Sequence, residues 1–478
     1  MVFSSLVFLF LFLPLTIIIY YILPKYFKNG FLLAASLFFF SWAGVSYSIL
    51  IFLSITANFF IGKLLNRPKK KRYLVLGIVF NLSMLIVFKY TNFIIANLNG
   101  ILSFLSLKPV KQTHILLPIG ISFYTFQAMS YLIDVYYGRT QIQKRIDHLG
   151  LYISLFPQLI AGPIVRYHEI KEQLQQRKHS IELFSNGIKR FIIGLSKKVL
   201  LANTFAVIAD GIFQTPIHYL DTLTTWIGII VYAMQIYYDF SGYSDMAVGL
   251  GKMFGFNIPE NFNFPYISAS IREFWRRWHI TLSNWFRDYL YIPLGGNRKG
   301  KLRTSINLII VFVITGFWHG ASWNFLIWGL IHGCFLLIER TGFNNLLIKS
   351  GKIIRHLYTL LVVLFAWVYF RSDDLSYAYL YTKCMIGIEY LHPHTGIPYI
   401  TKFITTKNII FFIIGIATST PLFKVISVRI SGLTLINNKL KPILSFEYIR
   451  IFFLLSMLIL CIMELAVGTY NPFIYFRF

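Results

Sequence analysis

Two histidines stand where an apolar chain makes polar side chains costly. His319 lies in Thr315-Gly-Phe-Trp-His-Gly-Ala-Ser-Trp-Asn324, at the junction of two apolar runs and far in sequence from any acid. Apolar surroundings disfavour an imidazolium, and a neutral imidazole accepts a proton, which suits a general base acting on a hydroxyl. The plainer alternative for a lone histidine is a hydrogen-bonded core residue. His279 follows Trp278 and has the same two readings: a part in the chemistry, or a hydrogen bond to a backbone carbonyl. His332 would face away from His319 on a continuous helix and reads as structural.

Carboxylates form the second group. Asp239 and Asp245 flank Ser241-Gly-Tyr-Ser244, a sequence expected to interrupt a helix. They bind substrate or pair with a nearby arginine to hold the fold. Downstream, Ser270 with Glu273 forms a capping-box pattern, which predicts a helix start. From there Trp275, Trp278, Leu282, Trp285 and Tyr289 recur at three-to-four spacing, with Arg276, Arg277, Asn284 and Arg287 on other faces. This pattern predicts one amphipathic helix, interfacial or cavity-lining, with its tryptophans at headgroup depth. Pro293 and Gly295-Gly296 end it, and Asn297 to Lys301 reads as a cytoplasmic turn. No Gly-x-Ser-x-Gly elbow, HExxH, Walker A loop or Rossmann fingerprint occurs, and the histidines are too scattered to propose a metal site.

The elements that must position these residues are membrane helices. Of 478 residues, 56% are hydrophobic and 13% charged, with mean hydropathy +0.63. A soluble domain carries about 25% charged residues. The 47 Phe and 30 Tyr suit lipid interfaces. The net charge of +27 comes from 45 basic against 18 acidic residues. Because the basic residues fall in short runs between apolar stretches, they read as cytoplasmic loops rather than a nucleic-acid surface. Cys334, Cys384 and Cys461 lie in apolar surroundings without CxxC spacing, so neither a disulfide framework nor a thiolate metal site follows. The run 2–23 lacks a basic n-region and a cleavage site, which argues for a retained span.

Candidate spans are 2–23, 30–45, 46–62, 73–89, 91–107, 115–136, 147–165, 184–209, 222–240, 305–318, 321–339, 357–371, 408–424 and 449–468. Several are short, so about 10 to 13 crossings are expected, with re-entrant or interfacial pieces between them. Lys63, Arg67, Lys69, Lys70, Lys71 and Arg72 form an acid-free loop. Placing it in the cytoplasm takes Lys25 and Lys28 there too and leaves the N-terminus outside. Beyond about residue 140 the same rule gives conflicting answers. No linker or internal repeat divides the chain, and residues 1–478 read as one membrane domain.

Several stretches resemble the signatures of the membrane-bound O-acyltransferase (MBOAT) family, and within it the bacterial alginate O-acetylation branch. They are Asp239-Phe-Ser-Gly-Tyr-Ser-Asp-Met-Ala247, Glu273-Phe-Trp-Arg-Arg-Trp-His-Ile280, Arg287-Asp-Tyr-Leu-Tyr-Ile292 and Leu294-Gly-Gly-Asn-Arg-Lys-Gly300. Leu117-Pro-Ile-Gly-Ile-Ser-Phe-Tyr124, Phe156-Pro-Gln-Leu-Ile-Ala-Gly-Pro163 and Met1-Val-Phe-Ser-Ser5 extend the likeness, which covers most of 1–375; the apolar tail 376–478 is less distinctive.

The resemblance implies an all-α polytopic fold, a ring of helices around a thinned centre with a funnel or tunnel. It implies two functional histidines at the positions of His319 and His279. The implied reaction moves an acyl group, acetyl above all, from a cytosolic thioester such as acetyl-CoA. The acceptor is an extracytoplasmic polysaccharide hydroxyl, or a secreted or membrane-anchored SGNH-hydrolase-like acetyltransferase that relays the group. Such a chain resides in the bacterial inner membrane. Arg276 and Arg277 would offset donor phosphate charge, or hold acidic lipid headgroups. Trp275, Trp318, Asp245 and Asn324 complete the candidate substrate-binding set. D-alanyl transfer to teichoic acid, lipid acylation, and a transporter or flippase are the alternatives; transporters often carry inverted repeats, and none is visible.

Overall fold

The computed structural model describes residues 1–42, 44–113, 115–388, 399–422, 425–426, 440–468 and 470–474, and every regular element among them is helical. Seven helices among the described residues are long and apolar enough to cross a bilayer. They are Val45–Leu64, Lys70–Phe104, Ile181–Phe213, Gly300–His319, Trp323–Lys349, Lys352–Arg371 and Glu447–Ala466; Phe8–Ile22 and Thr406–Thr418 are shorter apolar helices. The chain is an all-α polytopic membrane protein.

Two differences from the sequence-based spans have clear physical causes. Stretches 73–89 and 91–107 are one helix, Lys70–Phe104, because nothing between them breaks it; the wider turn at Ile86–Tyr90 is a π-helix. At 1.5 Å per residue it runs about 52 Å, well beyond the ~30 Å hydrocarbon core. Stretch 147–165 is not one continuous helix. It folds into Ile146–Ser154 and the single turn Phe156–Leu159, with Leu155 extended between them.

The buried spine is the pair Ile181–Phe213 and Thr222–Met253. Glycines on the two helices face each other: a Cβ at Gly194 would lie 2.6 Å from the Gly242 carbonyl oxygen, and one at Gly187 2.7 Å from that of Gly249. Small residues let helix backbones approach this closely, so van der Waals packing replaces a hydrophobic drive that lipid does not supply. Gly242 therefore serves contact, and Ser241-Gly-Tyr-Ser244 stays inside an unbroken 32-residue helix. The expected break is absent.

The predicted amphipathic helix is instead two, Ile271–Arg277 and Ile280–Phe286, with His279 between them at φ 43°. Asn261 causes the break. Its carbonyl accepts from Ile280 N (3.0 Å) and its side-chain Oδ1 from Thr281 N (3.2 Å), so the crossing segment caps the second helix. Trp275, Trp278 and Trp285 are all buried rather than at headgroup depth. Trp285 stacks on Phe126 at 3.9 Å and donates Nε1–H to its carbonyl. The aromatic stripe is protein core, not a lipid face.

Candidate active site

His319 is the last residue of Gly300–His319, at the hairpin turn into Trp323–Ile338. The hairpin closes tightly because a Cβ at Gly316 would lie 2.3 Å from the Phe325 carbonyl oxygen, and one at Gly320 2.0 Å from the Phe325 ring. The imidazole is 4% exposed and ringed by Trp318 and Trp328, each 4.9 Å away, and Phe370 at 5.2 Å. Among the described residues, neither ring nitrogen has a hydrogen-bond partner.

His279 lies 6.5 Å from His319, ring centre to ring centre. Its Nδ1 is 3.1 Å from Asn261 Oδ1, which already accepts from the Thr281 amide and, at 2.8 Å, from its hydroxyl. An oxygen accepting from those donors can only accept from the ring too. Nδ1 therefore carries the proton, and Nε2, buried and without a partner among the described residues, presents a lone pair. The left-handed backbone at a non-glycine residue is the kind of local strain that a functional position retains.

Two sets of cavities approach this pair. One of about 750 Å³ is lined by Arg272, Arg276, Arg287 and Arg340, with no carboxylate among its lining residues, and follows Gly300–His319 up to Thr315. Thr315 is one helical turn before His319. A second, of about 190 Å³, is lined by Lys89, Gly120, Ser122, Trp318 and His319 itself. A third, of about 290 Å³, shares Lys89 and adds Tyr232, Gln235, Ser322, Arg371 and Asp373. His319 lies about 28 Å along its helix from a basic start at Gly300-Lys-Leu-Arg303, and Lys89 lies the same distance along Lys70–Phe104 from another.

The remaining predicted residues separate into groups. Trp318 packs between the histidines and cavity wall, 6.1 Å from His279. Trp275 lines the large cavity and meets His332 at 5.1 Å. His332 also lies 5.2 Å from Trp328, whose other edge faces His319. It is therefore a near neighbour of the site, brought there by the hairpin rather than turned away. Arg276 lines the large cavity, whereas Arg277 turns to Glu273 (2.9 Å) and the Asn263 carbonyl (3.0 Å). Asp245 is held by Arg190 (2.6 Å) and Lys197 (2.7 Å), and Asn324 donates to the Ser372 carbonyl at 2.7 Å. Those last two tie helices together and, among the described residues, make no hydrogen bond to either histidine. Sequence reasoning missed Asn261 and Lys89. Asn261 carries no signal in a single sequence. Lys89 does: it is a cation in an apolar run, read as the end of a span.

A buried imidazole pair beside cavities of a polytopic helical protein is an arrangement that an integral membrane enzyme can use. Residues 148–373 match the model of the membrane-bound O-acyltransferase (MBOAT) family. The chain is 40% identical over 497 residues to the probable alginate O-acetylase AlgI of Pseudomonas putida, with 100% of both chains covered. It is 45% identical over 388 residues to that of Azotobacter vinelandii, covering 79% of this chain and 77% of the relative. It is 38% identical over 428 residues to the peptidoglycan O-acetyltransferase of Helicobacter pylori, covering 81% and 80%. The chain belongs to the membrane-bound O-acyltransferase family and is an O-acyltransferase.

Proposed function

We propose that the protein transfers acetyl from a cytosolic thioester, acetyl-CoA or a close equivalent, to hydroxyls of an extracytoplasmic polysaccharide such as alginate. The transfer is direct or passes through a secreted or membrane-anchored SGNH-hydrolase-like partner. The observation that carries this reading is the imidazole pair, 6.5 Å apart, with an arginine-lined cavity ending one turn below it and two others meeting at Lys89 beside it. The names of the relatives support the acetyl group and a polymer acceptor.

In this reading the donor's phosphates rest among Arg272, Arg276, Arg287 and Arg340, and its thioester reaches upward past Thr315. The acceptor hydroxyl enters from the Lys89 side. His319 takes the hydroxyl proton as oxygen attacks the thioester carbonyl; the C–S bond then breaks, and the thiolate takes that proton from His319 and leaves as the thiol toward the large cavity. His279 Nε2 orients a reactant by accepting a hydrogen bond. The protein sits in the bacterial inner membrane with its basic loops cytosolic and its N-terminus outside. His319→Ala in cells, scored for acetyl content of the surface polymer and for its export, tests the proposal. Acetylation is expected to vanish with export intact; lost export with acetylation retained would point to transport instead.

A further inference from the structure

The C-terminus of Gly300–His319 ends inside the protein, where its last four carbonyls have no intrahelical partner. All four are nevertheless met. Gly316 O accepts from Gly320 N at 3.3 Å. Phe317 O accepts from the Tyr90 hydroxyl at 2.7 Å. Trp318 O and His319 O both accept from Lys89 Nζ, at 2.6 and 3.1 Å, and the third ammonium donor reaches Ser122 Oγ at 3.4 Å. Two consecutive side chains on a different helix thus close three consecutive carbonyls. They do so from the π-turn Ile86–Tyr90, and a single widened turn of this kind often marks a functional position. Among the described residues Lys89 forms no ion pair with a carboxylate, and its Nζ donors go to the carbonyl end of this helix and to Ser122.

We propose that Lys89, assisted by Tyr90, is a positioning residue for His319: it fixes the helix end from which the imidazole projects between the cavities. The inference rests on the reading of His319 as the general base. A cap that merely stabilised the fold would act on protein yield. A cap that sets the imidazole's place acts on turnover, because a displacement of about 1 Å costs on the order of a hundredfold in rate.

The test measures acetyl transfer by the purified full chain, varying acetyl-CoA, for Lys89→Met, Lys89→Arg, Tyr90→Phe and His319→Ala. Lys89→Met is expected to lower kcat by about tenfold or more with KM for the thioester unchanged. Lys89→Arg keeps charge and donors and should recover kcat to within about threefold, and Tyr90→Phe should lower it by about two- to fivefold. Unchanged kcat in Lys89→Met, or an effect on KM alone, overturns the proposal. If Lys89→Met does not accumulate in the membrane, Tyr90→Phe decides: unchanged kcat there overturns it equally. His319→Ala separates the layers. Retained transfer in that variant removes the general-base reading itself, whereas lost transfer beside an unaffected Lys89→Met removes only the cap.

Discussion

Two buried polar regions of this molecule are built on opposite terms. Around Asp239 and Asp245 every charge is answered. Lys198 lies 2.7 Å from Asp239, whose other oxygen accepts from Ile474 N at 2.7 Å, and the Pro472 carbonyl takes a further bond from Lys198. Asp245 is held by Arg190 and Lys197. These pairs join the Ile181–Phe213 and Thr222–Met253 helices to each other and to the segment 471–474. Around His319 and His279, by contrast, three of four ring nitrogens have no hydrogen-bond partner among the described residues, and the same holds for the indole N–H groups of Trp275, Trp318 and Trp328. Unpaired buried polar atoms are costly, and a cluster of them beside a cavity is available to a bound molecule. The paired region is scaffold and the unpaired region is the candidate site.

Four experiments bear on that contrast. His319→Ala should cost the largest share of transfer, about a hundredfold or more, while leaving membrane yield and thermal unfolding near wild type. A parallel fall in unfolding temperature would make His319 part of the scaffold. Asp239→Asn should do the reverse. Leaving Lys198 buried without its counter-charge costs about 3 kcal/mol, read as a lower unfolding temperature in detergent, and Asp239→Leu combined with Lys198→Met should recover part of it. His279→Ala should lower kcat by about tenfold, the loss of one oriented hydrogen bond worth ~1.4 kcal/mol. Equal loss from Asn261→Ala would support the assignment of the free lone pair to Nε2. The smallest effect separates neighbours. Arg276→Ala should raise KM for the thioester about threefold to fivefold, whereas Arg277→Ala, which loses the Glu273 pair, should leave KM within about twofold.

Particular residues show what a single sequence can and cannot disclose. The Trp-His-Gly stretch was legible because an ionisable group in an apolar run is expensive wherever it folds. The alternation of tryptophans from Trp275 to Tyr289 was legible as helical, but its break at His279 was not, since the cause is Asn261 from a distant segment. Ser241-Gly-Tyr-Ser244 looked like a break and is instead the place where two helices touch, because Gly242 gives up its side chain to Gly194. Lys89 closed one apolar span and Thr91 opened the next; the helix runs through both because nothing breaks it, and the bonds of Lys89 to Trp318 and His319 join segments that the sequence keeps far apart.

The residue content by itself determined that this chain folds in a bilayer, because too few of its groups prefer water and backbone polar groups in lipid must be met by helices. It also marked the residues too costly to be idle. Which of those are neutralised by partners and which stay unpaired follows from the folded chain, because pairing depends on contacts between segments hundreds of residues apart. Lys89 meets His319, and Asp239 meets Ile474, through such contacts.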